Sequence, residues 1–148
     1  AERKLTAVLA LLEAQPSALS ADLLPQLHEL ARSEQGFQPL AALLEKLVAQ
    51  DSTNPELTLA LTKVLGESAA NELAAGRTEP ALTLLRRAHE LRPERFAAVR
   101  DLATLQIQLK TPKRAIEVLE RFLATPAPPA ELEAARELLA RARGSGKL

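Results

Sequence analysis

Two histidines, His28 and His89, are the side chains best suited to proton transfer or metal binding near neutral pH. Each is followed directly by a glutamate, and neither has a second ligand at the spacing that one face of a helix would require. A lone histidine without a converging partner does not form a catalytic or metal site. We therefore predict that both histidines are structural, lying half-buried or at the surface.

The other residues that could perform chemistry are equally isolated. Carboxylates are scattered among basic residues, as at Glu117, Glu120 and Arg121, a pattern typical of charge pairs on helix surfaces. The chain has no cysteine, which excludes disulfides, zinc-thiolate sites and thiol nucleophiles. The C-terminal Arg143-Gly-Ser-Gly-Lys-Leu resembles a phosphate loop, but Arg141 stands where the first glycine is needed, and neither Ser nor Thr follows Lys147. The sequence predicts a non-enzymatic protein with no catalytic residue, cofactor or metal.

Basic residues form the one notable concentration of charge. Lys and Arg number 19 and are balanced by 19 Asp and Glu, so there is no global field for nucleic acid or anionic lipid. Binding of single-stranded nucleic acid also needs aromatic side chains, and only Phe96 and Phe122 lie nearby. Nucleic-acid binding through residues 86–114 is therefore the less favoured use of a possible basic patch: Arg86, Arg87, Arg92, Arg95, Lys113 and Arg114.

Apolar residues recur at helical spacing along almost the whole chain, which predicts an all-α fold of about eight helices. Proline follows or lies near a capping residue at several predicted helix starts, including Asn54-Pro55, Thr78-Glu79-Pro80 and Thr111-Pro112. Pro25 requires the second helix either to bend or to begin near Leu24. The predicted helices are 2–14, 20–34, 37–50, 55–75, 78–91, 94–109, 112–124 and 129–143. Their short connections predict antiparallel hairpins.

One hairpin repeats along the chain. When residues 62–95 are laid over 96–129, small residues match small ones, as Ala69 with Ala103 and Ala81 with Ala115. The offset between the two copies is about 34 residues, and small residues stand where helices approach closely. In both respects the chain resembles the tetratricopeptide repeat, whose period is about 34 residues. The segment from Gly76 to Pro93 is the most similar to that family. Glu72 and Gln106 depart from it, because the family often has large aromatic residues between its helices.

The resemblance implies a domain over residues 1–143, built as a short right-handed solenoid of stacked hairpins. Residues 1–54 are predicted to be degenerate N-terminal helices, 55–93 and 94–127 the best repeats, 128–143 a capping helix and 144–148 a flexible tail. Gly36 to Leu40 resembles Gly76 to Ala81. The alternative is a generic helical bundle without repeats.

In this family the first helix of each repeat lines a concave groove that binds peptides or helices, so the resemblance implies a protein-interaction scaffold. Arg100 is the residue that we expect to hold a partner carboxylate. The resemblance assigns these residues to the groove: Lys63, Ala70, Leu73, Ala74, Ala97, Arg100, Thr104, Ile107 and Gln108.

The partner is expected to be another protein, with no membrane insertion. The alternatives are a structural spacer or self-associating module of a larger assembly or secretion protein.

We expect a soluble protein of the cytoplasm, or of the periplasm if it belongs to a secretion assembly. The chain starts without Met or a signal-type apolar stretch, as a processed chain or an excised fragment would. The first helix, which is rich in leucine, is expected to pack on the second helix or to form a homo-oligomer.

Overall fold

The computed structural model describes residues 2–145, and within that range the chain is helical, without a strand. The predicted all-α fold of about eight helices is confirmed. A short 3-10 helix, Pro16–Ala18, follows the first helix and was not predicted. The α-helices are α1 Glu2–Ala14, α2 Leu23–Glu34, α3 Phe37–Gln50, α4 Pro55–Ala74, α5 Thr78–Leu91, α6 Phe96–Gln108, α7 Pro112–Leu123 and α8 Pro129–Ser145.

The helices group into two compact units, Ala1–Leu84 and Leu85–Leu148, and the boundary along the chain falls within α5. We call them unit 1 and unit 2. The sequence boundaries at residues 54, 93 and 127 come from the repeat pattern rather than from compactness. The prediction of a single domain over 1–143 with those internal boundaries therefore stays a prediction.

Most helix starts follow the proline signals, but α6, predicted from residue 94 just after Pro93, begins at Phe96, and the capping differs in detail. The Asn54 side chain accepts hydrogen bonds from the amides of Glu56 (3.0 Å) and Leu57 (3.3 Å), as an N-cap does. Thr78 is already the first residue of α5, so the prediction of an N-cap there was wrong. Thr111 makes no side-chain cap for α7, because its hydroxyl donates instead to the Gln106 carbonyl at 3.0 Å.

The start of α2 resolves the alternatives left open by Pro25. The helix begins at Leu23, so Pro25 lies in the first turn, where its missing N–H removes no intrahelical hydrogen bond. Residues 20–22 were predicted as helix but precede it. The second alternative, a late start, is therefore confirmed.

Three hairpins share one turn geometry between their helices. Gln35, Gly76 and Lys110 have positive φ angles of 54°, 80° and 61°. In each case the next residue's amide donates to the carbonyl five positions earlier, at 2.8 Å from Gly36, 2.8 Å from Arg77 and 2.9 Å from Thr111. This Schellman geometry ends a helix by satisfying its last carbonyl groups.

This common turn corrects the predicted alignment of the first hairpin. Gln35, and not Gly36, takes the left-handed position that Gly76 occupies, so matching Gly36 to Gly76 was wrong by one position. Gln35 and Gly76 lie further apart along the chain than Gly76 and Lys110 do. Because α4 has 20 residues and α6 has 13, the two extra turns of α4 account for the difference. The α2–α3 hairpin therefore keeps the connections of the repeat.

Gly36 lies where α1 approaches closely. A Cβ atom at this position would collide with Leu5 Cδ2, and Leu5 is buried. The Leu5 amide also donates to Glu34 Oε1 at 3.1 Å, so a buried carboxylate lies at the N-terminal turn of α1, where the helix dipole favours negative charge. Leu9 and Leu12 are buried as well, whereas Leu11 is 70% exposed. Packing of α1 within its own unit, on α2 and also on α3, is confirmed.

Unit 2 is built around α7, which packs against both α6 and α8. Its core alternates fully buried alanines with larger residues, including Phe122, whose ring lies 5.3 Å from that of Phe96. The predicted capping helix, α8, buries one apolar face in this core, with Leu132 partly exposed. The core of unit 2 consists of Val99, Ala103, Ala115, Leu119, Phe122, Ala135, Leu138, Leu139 and Ala142.

The last helix extends further than predicted. Gly144 and Ser145 were predicted as part of a flexible tail, but both lie in α8 because its backbone hydrogen bonding continues past Arg143. The remaining tail positions, 146–148, lie outside the described residues.

Candidate protein-interaction surface

The small residues that carry the repeat are buried in both copies. Ala69 and Ala103 in the first helices are 1% and 0% exposed, and Ala81 and Ala115 in the second helices are both 0% exposed. A side chain no larger than a methyl group lets two helix backbones approach closely. These positions fix which face of α4 and α6 turns inward, and therefore which face remains accessible.

The predicted groove residues of α6 lie mainly on its accessible side. Arg100 and Gln108 are exposed, and Thr104 between them is half-buried. Arg100 Nε donates to Asp101 Oδ1 at 3.1 Å, and the two side chains are 52% and 42% exposed. Because an exposed pair of this kind is strongly screened by water, the guanidinium remains available to an incoming carboxylate. The face offers one strong donor beside hydroxyl and amide groups.

Two other predicted positions on α6 contribute less surface. Ala97 and Ile107 are half-buried, and Ile107 packs against the core of unit 2. Ile107 therefore supports the helix more than it presents an apolar contact.

The predicted groove residues of α4 are accessible. Lys63, Ala70 and Ala74 are exposed, and Leu73 is 39% exposed, one of the larger apolar side chains on the surface of unit 1. These four residues give three apolar side chains and a single cation, Lys63. This surface suits an aliphatic side chain of a partner better than a charged one.

One comparison with known protein families agrees with three features described above: buried alanines at the spacing of the repeat, recurring Schellman turns and accessible first helices. Residues 72–139 match the family model of the tetratricopeptide repeat. This part of the chain is therefore similar to the tetratricopeptide repeat family. A search of curated proteins gives no match.

Tetratricopeptide repeats generally mediate protein–protein interaction and are typically non-catalytic scaffolds. The matched segment covers the end of α4, the complete α5, the complete α6–α7 hairpin and most of α8. The departures predicted from the sequence stay local. Gln106 is 4% exposed at one position where the family often has an aromatic residue, and Phe122 is buried where the preceding repeat has Ala88.

The basic residues noted in the sequence do not all meet in one place. Lys113 and Arg114 line a cavity of about 730 Å³ together with Lys110 and Arg143. The others do not line it: Arg86, Arg87, Arg92 and Arg95 lie on α5 and on the connection to α6. Arg87 pairs with Glu90 at 3.6 Å, and Arg92 pairs with Glu94 at 3.1 Å. Arg143 was missed because it is distant in sequence from the basic segment.

A polar cluster in unit 1 joins α2 to α4 and was also missed. His28 Nε2 lies 2.7 Å from Glu67 Oε1, and Arg32 Nε donates to Glu67 Oε2 at 3.1 Å. Arg32 also pairs with Glu29. The hydrogen bonds from Arg32 lower the pKa of the Glu67 carboxyl, and that from His28 lowers it further, against the opposing effect of partial burial. The cluster contains no nucleophile, and its hydrogen bonds hold α2 against α4.

His89 is half-buried in unit 2. Burial lowers its pKa, and the positive charge of Arg121 lowers it further, while Glu90 has the opposite effect. The ring centroids of His28 and Phe37 are 5.5 Å apart. These surroundings agree with the predicted structural role of both histidines.

Among residues 2–145, no group of three or more His, Asp and Glu side chains is arranged to hold a metal ion. Over the same range, every helix falls short of the length and apolarity that a bilayer crossing requires.

Proposed function

We propose that this protein is a non-catalytic scaffold that binds peptides or helices of partner proteins through the accessible faces of its first helices, with α4 in unit 1 and α6 in unit 2 each acting as a surface of its own. The observation that carries the proposal is the accessible face of α6, where Arg100, Thr104 and Gln108 follow one another at intervals of about one helical turn. The fully buried Ala103 beside them fixes this face outward. In the family these first helices line the groove that receives a partner.

The character of the two faces suggests the kind of ligand. The α4 face offers Ala70, Leu73 and Ala74, which suit an aliphatic contact, and the α6 face offers one guanidinium with neutral polar groups. A segment with an aliphatic side chain would match the α4 face, and a segment with a carboxylate would match the α6 face. An Arg–carboxylate pair can form two parallel hydrogen bonds, which fixes orientation as well as adding affinity.

The test is crosslinking of the native protein with identification of the captured proteins, compared with the variant Arg100→Glu. Proteins that bind through α6 should be lost, because the substitution reverses the charge at the proposed carboxylate contact. Arg121→Glu is the matched control, since Arg121 is exposed on α7, a second helix. The proposal is wrong if both variants capture the same set as the unaltered chain.

The other uses predicted from the sequence remain to be separated from this one. A structural spacer should capture no protein reproducibly in the same experiment. A self-associating module should sediment as a dimer or larger species as concentration rises, whereas the proposed scaffold should remain a monomer when its partner is not present.

A further inference from the structure

We propose that the cavity between the α6–α7 turn and the end of α8 is a second binding site, which takes an acidic peptide segment of a partner protein. Four of its seven lining residues are cationic and none is acidic: Lys110, Lys113, Arg114 and Arg143, with Thr111, Pro112 and Ile116. All of them lie in unit 2.

The cations are only weakly neutralised by the protein itself. Arg143 Nη2 lies 3.5 Å from Glu120 Oε2, and both side chains are more than half exposed, so water screens this pair. Within residues 2–145, Lys110, Lys113 and Arg114 form no ion pair or side-chain hydrogen bond. A partner that brings carboxylates would therefore gain charge pairs without displacing strong existing ones.

The preceding repeat provides an internal comparison. Its equivalent turn, one repeat earlier in the chain, carries Gly76, Arg77, Glu79 and Pro80, whose formal charges cancel. The α6–α7 turn instead carries three cations, Lys110, Lys113 and Arg114. They stand at the positions that correspond to Gly76, Glu79 and Pro80 of the preceding repeat. The shared turn geometry does not need these charges, because both turns close with the same backbone hydrogen bonds. The charge is therefore a property of this one turn and not of the repeat.

The size and lining of the cavity favour a peptide. A volume of about 730 Å³ lies within the range of ligand pockets and exceeds what a single small anion would fill. Pro112 and Ile116 give it an apolar part, on which an aliphatic side chain between the acidic residues can pack. The lining has no aromatic ring on which a nucleic-acid base could stack.

The site is tested with the full chain and a fluorescein-labelled peptide of sequence Gly-Glu-Glu-Leu-Glu-Glu-Leu-Glu-Gly, followed by fluorescence anisotropy. The double variant Lys113→Gln/Arg114→Gln should weaken binding about tenfold or more, because charge-assisted hydrogen bonds are lost. The matched control Arg121→Gln/Arg136→Gln removes two exposed cations of α7 and α8 outside the cavity and should change the affinity less than about twofold. Circular dichroism verifies that both variants remain helical.

Several results would overturn the proposal. If the control variant weakens peptide binding equally, the peptide is attracted only by the general surface charge. If a peptide with Gln in place of Glu binds equally well, carboxylates are not recognised. Displacement by pyrophosphate at concentrations where chloride has no effect would mean a small-anion site. Tighter binding of a single-stranded oligonucleotide, with the same variant dependence, would mean a nucleic-acid site. Arg100→Glu should leave the peptide affinity within about twofold, so this site and the α6 face can fail independently.

Discussion

The carboxamide of Gln106 is a polar group in the tightly packed interior of unit 2. Gln106 is 4% exposed, and its Oε1 has no hydrogen-bond partner in the described chain. A buried acceptor left without a partner costs roughly 1–3 kcal/mol relative to its solvated form. The backbone carbonyl of the same residue is well used, since both the amide and the hydroxyl of Thr111 donate to it.

We predict that Gln106→Leu stabilises the protein by about 1 kcal/mol, because it replaces an unpaired polar group with an apolar one of similar volume. Urea unfolding followed by circular dichroism measures the change, and Gln108→Leu is the control on the exposed side of the same helix. Loss of stability in Gln106→Leu, with Gln108→Leu neutral, would show that the carboxamide makes a favourable contact.

At Glu67, the lowered carboxyl pKa links stability to pH. The unfolded chain binds a proton at a higher pH than the folded chain does. The contribution is therefore fully present above the unfolded pKa of about 4.3 and is lost as pH falls through the lowered folded value. We predict that Glu67→Gln costs about 0.5–1 kcal/mol at neutral pH, since the partly exposed cluster is screened by water.

The loss of unfolding free energy caused by Glu67→Gln should shrink when unfolding is repeated near pH 3. At that pH the Glu67 carboxyl of the unaltered chain is becoming protonated as well. Glu117→Gln, at an exposed position of α7, provides a comparison. A cost that stays constant from pH 7 to pH 3 would mean that Glu67 acts through packing and not through its charge.

At the scale of the elements, the left-handed residues at the hairpin turns differ in how well the side chain suits the backbone. Glycine adopts a positive φ freely, whereas for residues with a Cβ it costs roughly 1–2 kcal/mol. Gln35 and Lys110 bear this cost, and Gly76 does not.

We therefore expect Gln35→Gly to raise the free energy of unfolding by about 0.5–1 kcal/mol and Gly76→Ala to lower it by about 1 kcal/mol. No side chain lies within 4 Å of a Cβ built at Gly76, so the effect there would be one of backbone conformation. Thermal or urea unfolding measures both. Opposite signs for the two substitutions support the account, and a destabilising Gln35→Gly would contradict it.

The helices could be predicted because their signals are local. Pro55, Pro112 and Pro129 begin α4, α7 and α8 as predicted, since proline fixes φ near the helical value. The left-handed Gln35 could not be predicted, because glutamine carries no preference for that conformation and Gly36 beside it does. Gly36 instead lies against Leu5, a residue far away in sequence.

The candidate surfaces were predictable to different extents. The accessible side of α6 follows from helical periodicity once Ala103 is placed inward. The cluster of His28, Arg32 and Glu67 and the addition of Arg143 to the basic cavity depend on contacts between different helices. Periodicity within one helix gives no information on such contacts.

For the whole molecule, the balanced charge of 19 basic and 19 acidic residues means that binding must depend on local surfaces and not on an overall field. The proposed surfaces are of two kinds: faces of α4 and α6 with few charges, and a strongly basic cavity in unit 2. A partner could contact one or both, and the first helices are central to the proposed function.

The most direct measurement places a photo-crosslinking amino acid, in separate variants, at Ala70 and Thr104 on the first helices and at Thr83 and Glu117 on the second helices. Thr104 is half-buried and the other three positions are exposed. We predict that irradiation of the native protein with its partners gives specific protein adducts from positions 70 and 104, and few or none from 83 and 117. Adducts from the second-helix positions alone, or equally from all four, would contradict binding through α4 and α6.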